Sequence, residues 1–176
     1  QDYASAEKDL YAAIKQSRKS YAVYRTLYSA LEAQGKDDEA KQVLNDALQL
    51  SGSSGEDYYN RGMIYVDLQD YTNAADMLNK SYDKGYKAAL LGLGELSYTQ
   101  QDYDTALTYY GKYFDEVDIS SVDASLAAKA YNQYAAVLLA KGEYEKAAQA
   151  CESGLTYNDR ESDAALSFNL IVSYEH

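Results

Sequence analysis

The side chains that most often do chemistry are scarce in this chain of 176 residues, and none has useful company. The single histidine is His176, the last residue, a poor place for a catalytic role. The single cysteine, Cys151, falls on the apolar stripe of a helical pattern. A cysteine buried there behaves as a small inert hydrophobe, and no histidine stands near it to make a thiolate. Asp115, Glu116, Asp118 and Asp123 gather in "FDEVDISSVD", but the segment lacks the glycine and the regular ligand spacing of a calcium loop. It reads as a solvated loop. Gly92 and Gly94 in "LGLGEL" have no third glycine and no preceding strand, so they make no phosphate-binding loop. The expectation is a protein without catalytic residues, metal or cofactor.

Charge narrows the partners. The net charge is −12, and the four arginines, Arg18, Arg25, Arg61 and Arg160, are scattered. A polyanion such as DNA or RNA would be repelled. Mean hydropathy is −0.54, and no apolar run is long enough to insert into a bilayer. One cysteine allows no intramolecular disulfide. The chain has 21 tyrosines and no proline or tryptophan. Tyrosine packs its ring while keeping its hydroxyl near water, which suits many shallow contacts better than one deep core.

The organising feature is an internal repeat. "QDY" occurs at 1–3, 69–71 and 101–103, each followed three residues later by an alanine. "GEYEKAA" (142–148) and "GKDDEAKQVL" (35–44) are variants of the phrase. The alanines are Ala6, Ala40, Ala74, Ala106 and Ala147, spaced by 34, 34, 32 and 41 residues. Apolar residues then recur at helical spacing, as in Tyr71, Ala74, Leu78 and Tyr82. A second stripe precedes each phrase but the first: Tyr24, Leu27, Tyr28 and Leu31; Tyr58, Gly62 and Tyr65; Leu90, Leu93 and Gly94; Tyr131, Tyr134, Ala135 and Leu138. Gly62, Gly94 and Ala135 each stand 12 residues before the alanine of the next helix. Glycine inside a helix costs about 1 kcal/mol against alanine. Its recurrence predicts close approach of two helices, small residue against small residue. Tyr28 fills that place in the first full copy and predicts looser packing there.

The pattern resembles the tetratricopeptide repeat, a helix–turn–helix unit of about 34 residues. "YYNRGMIYVDLQDYTNAADMLNKSY" carries the likeness along its whole length, and the other copies follow in register. The resemblance implies an all-α fold, a right-handed superhelical solenoid of antiparallel helix pairs, about four full units with a half repeat at each end. The expected units are 1–17 (a second-type helix), 18–51, 52–85, 86–127, 128–158 and 159–176 (a first-type helix) in a single array. An insertion falls near 115–123 in the fourth. There Ser120 is expected to cap the following helix, with Asp123 answering it. In place of the family's terminating proline, Gly52, Gly85 and Gly154 are expected to end second helices. "SFNLIVSYE" (167–175) aligns with "YYNRGMIYV" (58–66), Asn169 on Asn60 and Tyr174 on Tyr65.

The family's first helices line a concave wall. Stepping one residue from the packing stripe gives its expected members: Arg25, Ser29 and Glu32; Tyr59, Met63 and Val66; Leu91, Glu95 and Tyr98; Asn132, Ala136 and Leu139; Phe168, Val172 and Glu175. Such a mixed, largely apolar wall suits a peptide or helical segment of another protein, and the leading expectation is a non-catalytic interaction scaffold. Arg25 and Asn132 lack the companions that relatives use to grip a C-terminal carboxylate. The tyrosines raise a second reading, a carbohydrate or cell-wall module of a bacterial surface protein. Uncovered end helices raise a third, a homodimer. The chain opens at Gln1 without a methionine or signal peptide, and is expected to be processed or cut from a longer one. Acidity and lysine over arginine lean towards an exported bacterial lipoprotein, with a cytoplasmic protein as the alternative.

Overall fold

The computed structural model describes residues 3–16 and 20–175; Arg18 and His176 lie outside them. Its described residues are all-α, with ten α-helices. They form two compact units, Gln1–Tyr86 and Lys87–His176. The first holds α1 (Tyr3–Lys15), α2 (Tyr21–Glu32), α3 (Asp37–Ala47), α4 (Gly55–Asp67) and α5 (Tyr71–Asp83). The second holds α6 (Ala89–Thr99), α7 (Tyr103–Glu116), α8 (Ala124–Ala140), α9 (Tyr144–Leu155) and α10 (Arg160–Tyr174). In unit one α2 packs with α3, α4 with α5, and α1 lies on α2. In unit two α6 packs with α7, α8 with α9, and α10 rests on α9 and α8.

Sequence sets the boundaries through local hydrogen bonds. Asp70, Asp102, Asp123 and Asp159 each accept a backbone N–H three residues on and start α5, α7, α8 and α10. Ser54 and Asp57 form a reciprocal capping box at α4. At the insertion the expectation needs correction. Asp123 itself caps α8, while Ser120 sits in a short 3₁₀ turn, Ile119–Ser121, that Asp118 caps. The aspartate wins because its carboxylate directly precedes the helical run.

The turn inside each pair repeats one backbone device. Gly35, Gln69, Gln101 and Gly142, each two residues before the phrase residue Asp37, Tyr71, Tyr103 or Tyr144, have φ between +61° and +74°. This left-handed residue ends the first helix and reverses the chain. Gly85, φ +84°, closes α5 as expected. Gly154 does not end a helix: it lies inside α9, where a Cβ would meet Leu166 at 2.9 Å and Tyr131 at 3.0 Å, and Asn158, φ +50°, makes the turn instead. Gly52 lies beyond α3, where a Cβ would collide with the Asp57 carboxylate.

One core of unit one joins Tyr24, Leu27 and Leu31 to Ala40, Val43, Leu44 and Ala47. One of unit two joins Ala135 and Leu138 to Ala147, Cys151 and Leu166. The recurring glycines face large residues, not the alanines. A Cβ on Gly62 would stand 2.7 Å from Leu78 Cγ, and one on Gly94 would stand 2.7 Å from Tyr110 Cζ. Leu78 and Tyr110 lie four residues after the alanine, one turn deeper into the pair. The glycine is the hollow into which that side chain presses.

Two predictions follow from these positions. Gly94→Ala forces a buried ring to move, so it lowers stability by about 1–3 kcal/mol despite a propensity gain of about 1 kcal/mol. Gly62→Ala meets the buried Leu78 at Cγ, 2.7 Å, and at its backbone N, 3.3 Å, and costs a similar amount; urea melts of the two variants measure both. Gln101→Gly relieves a non-glycine residue at φ +62° and raises stability by about 1 kcal/mol, read from the same melts.

Candidate interaction surface

The expected wall residues do not all face outward. Met63 is 1% exposed and Leu91 3%, so both belong to the core and leave the wall. Stepping one residue from the packing stripe was too small a step. A helix stacked between its own partner and a neighbouring pair buries an arc wider than a single stripe. Ser29 and Glu32 are exposed on α2, while Arg25, Tyr59 and Val66 are half-buried. On unit two Tyr98 is exposed, and Glu95, Asn132, Ala136 and Leu139 are half-buried. Phe168 and Glu175 are exposed on α10, and Val172 is half-buried.

What remains is more polar than the sequence implied, because first helices are tied to one another by polar groups. Arg25 Nε on α2 pairs with Asp67 Oδ2 on α4 at 3.5 Å. Gln133 Nε2 on α8 donates to Glu95 Oε2 on α6 at 2.8 Å. Asn169 Nδ2 on α10 donates to Asn132 Oδ1 on α8 at 3.0 Å. Asp67, Gln133 and Asn169 were missed as surface residues, and their signal was faint: each is a polar residue close to an apolar stripe. Tyr28 donates its hydroxyl to Glu32, and burial together with that carboxylate pushes the phenol well above its usual range.

Unit one carries a cleft of about 530 Å³ on this face, between α2 and α4. Its lining includes Arg25, Thr26, Glu56, Asp57 and Asn60. The Asp57 carboxylate accepts from the Ser54 hydroxyl at 2.7 Å and the Ser54 N–H at 2.9 Å. Those two bonds hold its carboxyl below the usual range, so the cleft lining keeps a fixed negative charge. Tyr59 packs its ring on Tyr86 at 5.4 Å, and Tyr98 on Tyr103 at 5.7 Å. Each ring thus has a neighbour within its own unit.

Elsewhere, burial lifts the Cys151 thiol to about 11, with Glu152 adding to the shift; this thiol stays protonated at neutral pH. Among the described residues no group of three His, Cys, Asp or Glu is placed to hold a metal ion. No helix among them is long and apolar enough to cross a membrane.

Because its native value is depressed, Asp57 adds stability that is complete above about pH 4, the unfolded value, and is lost as pH falls through the native one. Asp57→Asn therefore lowers stability at pH 7 by about 1 kcal/mol through the weakened cap. The gap between variant and wild type closes in acid, as thermal melts from neutral to strongly acidic pH will register.

A family model described as Tetratricopeptide repeat matches residues 59–116, from the second turn of α4 to the end of α7. No curated protein sequence matches the chain. Solved structures match in fold. A chain of the APC/C hetero-tetramer Cut9–Hcn1 superposes with TM-score 0.68 at 18% identity, over 99% of this chain and 33% of that one. The present chain thus spans a third of that relative's length. YrrB, described as a TPR protein with an unusual peptide-binding site, gives TM-score 0.54 at 21% identity, covering 94% of this chain and 82% of its own. MamA gives 0.51 at 20% identity, covering 92% of each chain. The family model thus matches about a third of the chain, and the solved structures share the fold of the helix pairs on either side of it.

Proposed function

We propose that the chain is a non-catalytic scaffold that holds an extended segment of another protein against its first helices, with the cleft between α2 and α4 as one contact point. The supporting observation is the cleft itself. At about 530 Å³ it has the size of a ligand site, and it offers groups suited to a peptide backbone: the Arg25 guanidinium, the Thr26 hydroxyl and the Asn60 amide. Its polarity shifts the expected ligand from an apolar helix towards an extended polar segment. YrrB, with the same fold, is itself described as having a peptide-binding site. The carbohydrate reading draws no such support, since the Tyr59 and Tyr98 rings pack on Tyr86 and Tyr103. The compartment we favour is the bacterial cell surface, on the ground of the net charge of −12 and the excess of lysine over arginine.

The test is affinity capture from source cells, comparing wild type with the double variant Arg25→Glu, Asn60→Ala. Both positions are only half-buried, and circular dichroism checks that the variant is folded. A protein retained by wild type and lost with the folded variant supports the reading. Capture that ignores both substitutions sinks it.

A further inference from the structure

Unit two carries a groove of about 510 Å³ between its second-type helices α7 and α9. It shares no residue with the cleft between α2 and α4. Gly111, Phe114 and Asp115 of α7 form one wall, and one face of α9, from Lys146 to Ser153, forms the other. Tyr131 and Tyr134 of α8, which packs on both helices, make the floor. Phe114, Tyr131 and Tyr134 are half-buried, so part of each ring is open to solvent.

Neither packing nor a turn accounts for Gly111. Three other glycines inside helices, Gly62, Gly94 and Gly154, each have a side-chain atom between 2.7 and 2.9 Å from where a Cβ would stand. A Cβ on Gly111 would meet nothing within 4 Å. Gly111 does not turn the chain either, since it lies in the interior of α7. The repeat register points the same way. Five residues after the phrase alanine, α1 has Tyr11, α3 has Asn45, α5 has Asn79 and α9 has Glu152, all of them exposed. Those four copies fold with a side chain in this place. A glycine there weakens α7, and what it supplies in return is clearance. The backbone of α7 lies bare at the groove wall, open to close approach by an occupant.

The floor and the rim define the chemistry of that occupant. Phe114 stacks on Tyr131 at 4.8 Å, Tyr131 stacks on Tyr157 at 6.1 Å, and Tyr134 meets Phe114 at 5.5 Å in an edge arrangement. The rings thus turn their faces to one another. A sugar needs a free aromatic face, whereas an aliphatic or methionine side chain also packs against ring edges. On the rim, Lys146 is held by Glu143 at 2.6 Å. Lys87 and Lys112 are held by Glu116, at 2.5 and 3.7 Å. Asp115 is exposed, and among the described residues no cation pairs with it. A carboxylate beside an apolar floor, in a chain of net charge −12, suits a lysine or arginine whose stem lies on the rings and whose head reaches the acid. The walls are helices, whose N–H and C=O groups already pair with one another. They offer little to the backbone of an extended peptide, whereas a helix satisfies its own backbone and needs only side-chain contacts.

We propose that this groove receives an amphipathic helix of another protein, with a Leu, Ile or Met side chain on the aromatic floor beside Gly111 and a Lys or Arg paired with Asp115.

Selection from a displayed library of peptides of about 18 residues, long enough to hold a helix, tests this on the whole chain. Wild type is expected to enrich peptides with aliphatic residues on one helical face and a lysine or arginine at its border. Titrated singly by fluorescence anisotropy, these peptides are expected to bind Gly111→Leu, whose side chain fills the groove, at least about tenfold more weakly. Asp115→Asn is expected to weaken them about threefold, a difference that fades in molar salt. In the free protein Gly111→Ala is expected to raise the melting temperature by about 2–4 °C, since the new Cβ meets open space. A fall in that temperature overturns the proposal, because the glycine would then serve the fold. So does a selection that yields no peptide sensitive to Gly111→Leu, or one whose groove-dependent peptides are acidic or lack aliphatic residues.

Discussion

The structure depends on one constraint: within each repeat two helices must lie close enough for a large side chain on the second to enter the first. Leu78 enters at Gly62 and Tyr110 at Gly94. The chain can present those surfaces to each other only if it reverses within a few residues, and a left-handed residue accomplishes that at Gly35, Gln69, Gln101 and Gly142. Two of the four are glutamine, so packing inside the pair is strong enough to hold a conformation that side chains disfavour. Everything functional is downstream of this clamp. It orients the outer faces of α2 and α4.

Much of the fold was legible because it is written several times. A single "QDY" with an alanine after it means little; five phrases in register fix which helix follows which and where each begins. The glycines were legible as packing positions, but their partners were not. The alanine that recurs at fixed distance pointed to itself, whereas the contact is made one turn later, by a residue whose type varies among Leu44, Leu78, Tyr110 and Cys151. Helix ends were harder again. Gly154 and Gly85 look alike in sequence, yet one is pressed by Leu166 and the other turns the chain.

The surface was read less well, for a physical reason. Burial of Met63 and Leu91 depends on how much of a helix its neighbours cover, and periodicity within one helix carries little of that information. The polar ties have the same character. Arg25 and Asp67, or Gln133 and Glu95, belong to different repeats, and a polar residue in a sequence does not name its partner. These ties consume hydrogen-bonding capacity that would otherwise face solvent, and they set successive first helices at fixed separations within each unit. The cleft between α2 and α4 owes its width to that spacing.

The modest seating of α1 has a consequence for motion. With no fully buried side chain of its own, α1 can leave α2 while the rest of unit one stays folded. Such sub-global openings lie far below the free energy of full unfolding. Amide hydrogens of α1 therefore exchange with solvent on a faster clock than those of α4, whose Ile64 is fully buried. An opening of α1 would make α2 the edge of the unit, with Leu27 and Leu31 of its core the first to meet solvent, and would not require crossing the main folding barrier.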